Sequence, residues 1–322
     1  MKDIMMNIRH LKKYFNTPAG KLHAVDDVSV SLERGKTLGV VGESGCGKST
    51  LGRTILCLNE PTEGEILFYG REKGSYGANL VTATKKERKL LRPKLQMIFQ
   101  DPYSSLNGRM TVSQLIAEPL LVNRICKNRA EVDEKVVEVM ETVGLARRLA
   151  MAYPHELDGG RRQRIGIARA LVLKPEFIVC DEPVSALDVS IQAQILNLLM
   201  DLQEERGLTY LFITHDLSVV RHISDTIMVM YLGKCVEMAP ADEIFSNPLH
   251  PYTKALLAAI PIPSVDSCHK RRELLQGEVT SPINPKPGCR FAARCPHARE
   301  SCRSAKVPFT ERTSGHYVAC CQ

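Results

Sequence analysis

The sequence predicts an α/β fold in which short buried strands of a parallel sheet alternate with helices. Three runs of apolar and β-branched residues have the length of such strands: 37–41 (TLGVV), 177–180 (FIVC) and 209–214 (TYLFIT). Apolar residues at helical spacing follow the first two runs, after residues 49 and 190. All three runs lead into polar residues, which the sequence therefore places at the carboxyl edge of the sheet, where open α/β sheets bind ligands.

The length of 322 residues predicts a main domain with an appendage, which we place at 1–246 and 247–322, with a helical insertion at about 101–173. No segment approaches the roughly 20 apolar residues of a membrane span, and the N-terminal segment is too charged for a signal peptide. We therefore expect the chain in the cytosol. The net charge is +7, but most basic residues are spread out and are interpreted as solvated faces, so no nucleic-acid partner is predicted.

The N-terminal segment 4–32 predicts strands around a turn. Alternating apolar residues place Val25, Val28 and Val30 on a half-buried surface, as in an antiparallel edge subdomain. Tyr14 and Phe15 lie ahead of this alternation. An exposed aromatic ring there could stack on a base, and core packing is an equally good explanation for either ring.

A phosphate-binding loop is predicted between the first strand and its helix. Glycine lets backbone N–H groups of such a loop turn towards phosphate oxygens, and the helix N-terminus adds a favourable dipole. Lys48 would reach the terminal phosphates, and the Ser49 hydroxyl would bind Mg²⁺. An ordinary glycine-rich turn would require neither side chain. The loop residues are Gly42, Glu43, Ser44, Gly45, Cys46, Gly47, Lys48 and Ser49.

Polar residues after the other strands suggest hydrolysis. Asp181 would hold Mg²⁺ directly or through water, and Glu182 would polarise the water that attacks the γ-phosphate. Gln100 and His215 also follow apolar runs and could contact Mg²⁺, the attacking water or the γ-phosphate. Taken alone, the acids could be solvated turn residues, Gln100 a loop residue and His215 a structural one.

Helical spacing returns at 111–149, with an apolar stripe of Val132, Val136, Val139, Met140 and Val143 and with Gly144 as the C-cap. Another helix follows residues 157–160 (LDGG) and breaks before Pro175. These segments form the predicted helical insertion.

Eleven cysteines are many for a cytosolic chain, and five of them lie between Cys289 and Cys321. Because a reducing compartment disfavours structural disulfides, this clustering predicts metal or cluster ligation. Four thiolates suit zinc or an iron–sulfur cluster, and their spacing does not decide between these. The scattered cysteines are interpreted as small packing residues: Cys57, Cys126, Cys180, Cys235 and Cys268.

Together these motifs resemble the nucleotide-binding subunit of ABC transporters. The resemblance implies an ATPase with a P-loop core, an antiparallel edge subdomain, a helical insertion and a cysteine-containing C-terminal extension. It also implies that two such domains meet head to tail, with each ATP between one phosphate loop and the other subunit's signature. The matching positions are the Walker A residues 42–49 with Thr50, Phe15 as the base-stacking ring, Gln100 of the Q-loop, the signature 157–164 with Asp158, Gly159, Gly160 and Arg161, the Walker B segment 177–182, Asp188 of the D-loop and the switch residue His215.

The segment 247–261 (NPLHPYTKALLAAIP) resembles the extension of the oligopeptide, dipeptide and nickel importer branch. The resemblance implies peptide import, with nickel or metal-chelate import, or a soluble ATPase in iron–sulfur assembly, as alternatives. Its implied partners are a second ATPase subunit, two permeases and an extracellular binding protein, at the cytoplasmic face of the membrane. It further implies a four-iron four-sulfur cluster on Cys289, Cys295, Cys302 and Cys320, with zinc as the alternative.

The signature departs from the family pattern at Asp158, which replaces a serine, and at Arg161, which replaces a glutamine. An ionised aspartate only accepts hydrogen bonds and repels phosphate, although it remains a good helix N-cap. Lys48, Glu182 and His215 keep the family pattern. We therefore expect a heterodimer with unequal ATP sites.

Overall fold

The predicted α/β organisation is confirmed by the computed structural model, which describes residues 3–71, 77–101, 103, 105–259 and 280–321. Cys268 lies outside these residues. The strands in the described part are β1 Ile4–Thr17, β2 Gly20–Glu33, β3 Thr37–Val41, β4 Glu63–Phe68, β5 Ala78–Asn79, β6 Leu95–Ile98, β7 Phe177–Asp181, β8 Thr209–Ile213, β9 Thr226–Tyr231, β10 Lys234–Pro240, β11 Thr310–Thr313 and β12 His316–Val318. The helices are α1 Lys48–Ile55, α2 Lys85–Leu91, α3 Val112–Val122, α4 Arg129–Thr142, α5 Gly159–Leu171, α6 Val189–Arg206, α7 Leu217–Ile223, α8 Ala241–Ser246, α9 Pro251–Ala258 and α10 Glu300–Ser304.

The main sheet has the strand order β11-β12-β10-β9-β3-β8-β7-β6. Strands β9, β3, β8, β7 and β6 run parallel, and β10, β12 and β11 continue the sheet in antiparallel pairs. Ile213 on β8 lies opposite Val40 on β3 and opposite Asp181 on β7. The carboxyl ends of these strands therefore meet at one edge, as the sequence predicts.

The antiparallel edge subdomain is confirmed as a second sheet of order β2-β1-β4-β5. Val25, Val28 and Val30, which the alternation places on a half-buried surface, are buried, and Ser29 and Ser31 between and after them are exposed. The three valines share one apolar cluster with Leu38 and Val40 of β3, so the second sheet packs against the main sheet and shields them from water.

The helical insertion is present between β6 and β7, but the helical pattern of 111–149 is not continuous. It is interrupted between α3 and α4, and Asn128 begins α4 as an N-cap that accepts a hydrogen bond from the backbone of Glu131. The apolar stripe of α4 is buried as predicted. The C-cap of this helix is Val143, and Gly144, which the sequence predicts as the C-cap, follows one position later with a left-handed backbone (φ 70°).

The C-terminal extension is built onto the main domain. Its strand β12 pairs with β10, and its Phe291 is buried against Tyr231 and Tyr252, with ring centroids 5.3 and 5.4 Å away. The sequence predicts little core within this segment, and its buried rings do pack on the core of the preceding domain. The boundary at residue 246 stays a prediction, because sheet and core continue across it.

A buried polar network joins the extension to β10. The carboxylate of Glu237 accepts hydrogen bonds from the backbone N–H groups of Leu249 and His250, and it lies 2.8 Å from His316 Nε2. The side chains of Glu237, His250 and His316 are all buried.

We predict that His250 makes the fold sensitive to acid. Burial lowers the pKa of His250 to about 4, against 6.5 for an ordinary histidine. Below pH 6.5 the unfolded chain binds a proton on this ring and the folded chain does not, so roughly 3 kcal/mol of stability is lost as the pH falls from 6.5 to 4. Asparagine can still accept the hydrogen bond from the Tyr252 backbone but does not titrate. His250→Asn should therefore flatten the decline of Tm over this range in thermal unfolding.

His222→Asn is the matched control, because His222 is an exposed helix residue. Its Tm should follow the pH dependence of the unchanged chain. Equal slopes for all three proteins would contradict the assignment to His250.

Candidate nucleotide site

The loop after β3 has a backbone that only glycine fits at two positions. Gly42 has φ 151°, and a Cβ atom on it would lie 2.2 Å from the carbonyl oxygen of Met230. Gly47 has φ 106°, and its Cβ would lie 2.0 Å from the carbonyl oxygen of Ala24. Helix α1 begins at Lys48, so the unpaired N–H groups of its first turn lie at the loop.

Lys48 and Ser49 point back into the site. Lys48 is buried, and its Nζ donates hydrogen bonds to the carbonyl oxygens of Gly42 and Glu43 at 2.8 and 3.0 Å. Ser49 Oγ donates to Asp181 Oδ1 at 2.6 Å. Two residues separated by 132 positions in the chain are therefore brought together at the sheet edge.

Asp181 is completely buried, and burial raises the pKa of its carboxyl, while the hydrogen bond from Ser49 and the charge of Arg53 act in the opposite direction. Its second oxygen, Oδ2, has no hydrogen-bond partner in the described part of the chain, and Arg53 Nη2 lies 3.7 Å from it. A buried carboxylate oxygen without a hydrogen-bond partner, next to a serine hydroxyl, fits the oxygen ligands that Mg²⁺ prefers.

The carboxylate of Glu182 contacts the polar residues that follow the neighbouring strands. Its Oε2 accepts a hydrogen bond from Gln100 Nε2 at 2.9 Å and lies 3.2 Å from His215 Nδ1. Its own backbone is left-handed, with φ 47°, and its N–H donates to the carbonyl of Ile213. A left-handed glutamate is strained, and such strain is commonly found where a side chain must be aimed at a site.

A cavity of about 260 Å³ lies over the phosphate loop. Phe15 lines it, whereas the neighbouring Tyr14 is used internally, since it donates a hydrogen bond to Asp26 and stacks on His23 with ring centroids 3.9 Å apart. The lining described by the structure consists of Phe15, Leu22, His23, Ala24, Ser44, Gly45, Cys46, Gly47, Lys48, Ser49, Thr50, Gln100, Glu182, Leu232, Gly233 and Pro282. Sequence reasoning missed His23, Gly233 and Pro282, because no motif marks residues that reach the cavity through long-range pairing.

The signature residues lie elsewhere, at the start of α5. Asp158 caps this helix as predicted, accepting a hydrogen bond from the Arg161 backbone at 2.8 Å, and its carboxylate also lies 3.4 Å from Arg161 Nε. The Asp158 side chain is 59% exposed. A Cβ on Gly160 would lie 2.8 Å from Ile191 of α6, so this glycine allows the signature to pack closely on the helix that follows Asp188.

The cysteines of the extension are neighbours. Burial, together with the charges of Cys295, Cys302 and Cys320, raises the pKa of Cys289 to about 11. Backbone hydrogen bonds from Phe291 to Cys289 and from His297 to Cys295 act in the opposite direction. Within the described ranges, however, no group of three or more His, Cys, Asp and Glu residues is arranged to hold a metal ion.

None of the helices in the described part combines the length and the apolar character that a membrane span requires.

Comparison with known proteins gives two family matches. Residues 25–185 match the family described as ABC transporter, and residues 236–302 match the family described as oligopeptide/dipeptide transporter, C-terminal region. The oligopeptide transport ATP-binding protein AppF of Bacillus subtilis (strain 168) is 52% identical, over 99% of this chain and 97% of its own length. The dipeptide transport ATP-binding protein DppF of Haemophilus influenzae is 49% identical, over 98% and 96%.

Solved structures cover a smaller share of the chain. A dimeric post-hydrolysis state of the ATP-binding cassette MJ0796, bound to ADP and Pi, has a TM-score of 0.65 and 29% identity, over 74% of this chain and 99% of that chain. The cbiO1 structure from Clostridium perfringens, part of the transporter complex cbiONQ, has a TM-score of 0.65 and 26% identity, over 76% and 92%.

Proposed function

The chain belongs to the ABC transporter family, in its oligopeptide and dipeptide branch, and from this we propose that it binds and hydrolyses ATP to power peptide import. The observation that carries the proposal is the convergence of the phosphate loop, Asp181 and Glu182 at one sheet edge. The relatives' printed names, oligopeptide and dipeptide transport ATP-binding proteins, support the substrate class.

The residues of the site divide the chemistry between them. The loop 42–49 and Lys48 bind the phosphates, Phe15 stacks on the base, and Ser49, Asp181 and Gln100 would hold Mg²⁺. Glu182 orients the attacking water, and His215 contacts the γ-phosphate. Lys48 now donates to loop carbonyls, so its ammonium must exchange those acceptors for phosphate oxygens when ATP binds.

A second, larger cavity supports the proposal that the chain binds a membrane-embedded partner. It has a volume of about 860 Å³ and lies between the Gln100 region and the helical insertion. Its lining combines exposed apolar residues, Leu58 and Val122, with arginines such as Arg88 and Arg92. We propose that one of two permease subunits binds in this cavity, with the chain at the cytoplasmic face of the membrane and an extracellular binding protein as a further part of the transporter.

A second ATPase subunit is proposed on the side of the signature. Val189, directly after Asp188 of the D-loop, is 82% exposed, and such an exposed branched apolar residue favours a protein contact. Because Asp158 replaces the signature serine, the site that this signature forms with the partner's phosphate loop should be the weaker of two, which favours a heterodimer.

Two other functions are less well supported. Nickel or metal-chelate import would use the same ATP chemistry, but the relatives described above carry peptide-transport names. A soluble ATPase in iron–sulfur assembly would not need the C-terminal extension, which matches the oligopeptide/dipeptide family over residues 236–302.

The extension cysteines form our proposed cluster site. Cys289, Cys295, Cys302 and Cys320 would hold a four-iron four-sulfur cluster, with zinc as the alternative. The proposal is supported by the clustering of these cysteines in one segment and by their mutual electrostatic influence, while the described residues are not arranged as a metal site. A cluster bound there would supply structural cross-links and no electron transfer, because ATP hydrolysis requires none.

We predict that Glu182→Gln binds ATP but hydrolyses it at least about 100-fold more slowly, because an amide cannot accept the proton of the attacking water. Peptide uptake by vesicles that contain the assembled complex should be lost in parallel. Both rates are measured on the same preparation. Glu205→Gln, on the exposed surface of α6, is the control and should leave both rates unchanged. Normal turnover in Glu182→Gln would remove this residue from the catalytic role.

We predict that Asp158→Ser raises ATP affinity or turnover at the site shared with the partner's phosphate loop, since a serine hydroxyl donates to phosphate and an aspartate repels it. Asp158→Asn is the matched control, because it removes the charge and keeps the N-cap. Nucleotide binding is measured in the complex. If the purified chain alone forms a symmetric, fully active ATP dimer, the unequal-site model is wrong.

We predict stoichiometric iron and acid-labile sulfide in anaerobically purified protein, with visible absorption that Cys302→Ser abolishes. Cys126→Ser, outside the extension, should keep the absorption. Zinc without iron would overturn the cluster and keep the ligands. A folded extension free of metal would overturn both assignments.

A further inference from the structure

The C-terminal extension reaches the phosphate loop. Both terminal nitrogens of Arg294 lie 2.9–3.2 Å from the carboxylate oxygens of Glu43, the second residue of the loop. The Glu43 N–H also donates a hydrogen bond to the hydroxyl of Tyr252 at 2.9 Å. Glu43 is therefore held at its backbone and at its side chain by residues that lie 209 and 251 positions later.

This ion pair is largely removed from water. The Arg294 side chain is 7% exposed and the Glu43 side chain 28%. A bidentate contact between a guanidinium and a carboxylate fixes the orientation of the two groups as well as their distance, whereas a single contact from a lysine fixes only the distance. Pairs of this kind position their partners firmly and leave a costly unpaired charge when one partner is removed.

The charge of Glu43 matters because the loop must accept a polyanion. A carboxylate at the second loop position repels phosphate oxygens, and repulsion between like charges is stronger where water is excluded. Arg294 cancels that charge from the side of the extension. The carbonyl of Glu43 accepts Lys48 Nζ at 3.0 Å, so a shift of Glu43 would also displace the lysine that reaches the phosphates.

The extension also borders the other end of the cavity. Pro282 lines it, and the carbonyl of Pro282 accepts a hydrogen bond from the His23 backbone at 3.1 Å. Asn284 accepts a hydrogen bond from the Lys21 backbone at 2.9 Å. Arg290 anchors the region between these contacts through hydrogen bonds to Asp26 and to the carbonyl of Leu232. The extension is thus bound to several segments that border the nucleotide cavity.

We propose that Arg294 is a positioning residue of the nucleotide site, which holds Glu43 of the phosphate loop in place and cancels its charge, so that the C-terminal extension sets the ATP affinity of its own chain. Arg294 acts through Glu43 and does not touch the nucleotide. The inference rests on the proposal that ATP occupies the loop 42–49.

The test is a mutant cycle in the full-length chain, with affinity for a fluorescent ATP analogue as the readout. Arg294→Ala should weaken binding about tenfold, which corresponds to about 1.4 kcal/mol. Arg294→Lys keeps the positive charge but loses the bidentate contact, so its affinity for ATP should lie between those of Arg294→Ala and the unchanged chain. Unchanged affinity in Arg294→Ala would overturn the proposal.

The substitution Glu43→Gln distinguishes an effect of the Glu43 charge on ATP affinity from an effect of a detached or unfolded extension. Because the glutamine removes the repelling carboxylate, adding Glu43→Gln should restore most of the affinity lost in Arg294→Ala. Detachment of the extension would not be repaired by this second substitution, so a double variant as weak as Arg294→Ala would overturn the electrostatic role. If Arg294→Ala does not fold, the same comparison is made with Arg294→Lys, whose loss should likewise be reduced by Glu43→Gln.

Two controls keep the inference distinct from the proposed function. Arg303→Ala, on the exposed surface of α10 in the same extension, should leave the affinity unchanged. Lys48→Ala should abolish binding if ATP occupies the loop. Normal binding in Lys48→Ala would refute the proposed site itself, whereas loss in Lys48→Ala with normal binding in Arg294→Ala would refute only the role of Arg294.

Discussion

The parallel register of β3, β8, β7 and β6 sets the geometry of the nucleotide site. Ile213 lies opposite both Val40 and Asp181, and neighbouring strands are about 4.8 Å apart. The phosphate loop, His215, the pair Asp181 and Glu182, and Gln100 therefore leave the sheet at successive steps along one edge. A slip of one residue in any pair would turn the side chains of that strand to the opposite face. The chemistry thus depends on backbone hydrogen bonds that never touch a nucleotide.

The same edge concentrates features that disfavour the folded state. Asp181 is completely buried, and both this burial and the charge of the adjacent Glu182 raise its pKa. Glu182 itself has a strained, left-handed backbone. Large apolar clusters on both faces of the sheet compensate for these features. A divalent cation held by Ser49 and Asp181, as proposed above, would remove much of the repulsion between the acids.

Local patterns in the sequence were sufficient for much of this fold. Strand, loop and helix at 37–55 follow from side-chain types and spacing, and the role of Asp158 as an N-cap needs only its position before a helical pattern. Patterns failed where distant segments decide. The choice of Phe15 over Tyr14 at the cavity depends on Asp26 and His23, which contact Tyr14. Likewise, nothing near Arg294 in the sequence indicates that it meets Glu43.

The attachment of the extension to the phosphate loop has a consequence for biosynthesis. Glu43 and Arg294 are 251 residues apart, so at about 5–20 residues per second the ribosome completes Glu43 roughly 10 to 50 seconds before it reaches Arg294. During that interval the loop, its strand and its helix are present while the carboxylate of Glu43 lacks its cation. Nascent and prematurely terminated chains therefore carry the whole phosphate-binding motif in an unsupported form. Under the proposed role of Arg294, full affinity for nucleotide is therefore acquired only after residue 294 has been synthesised.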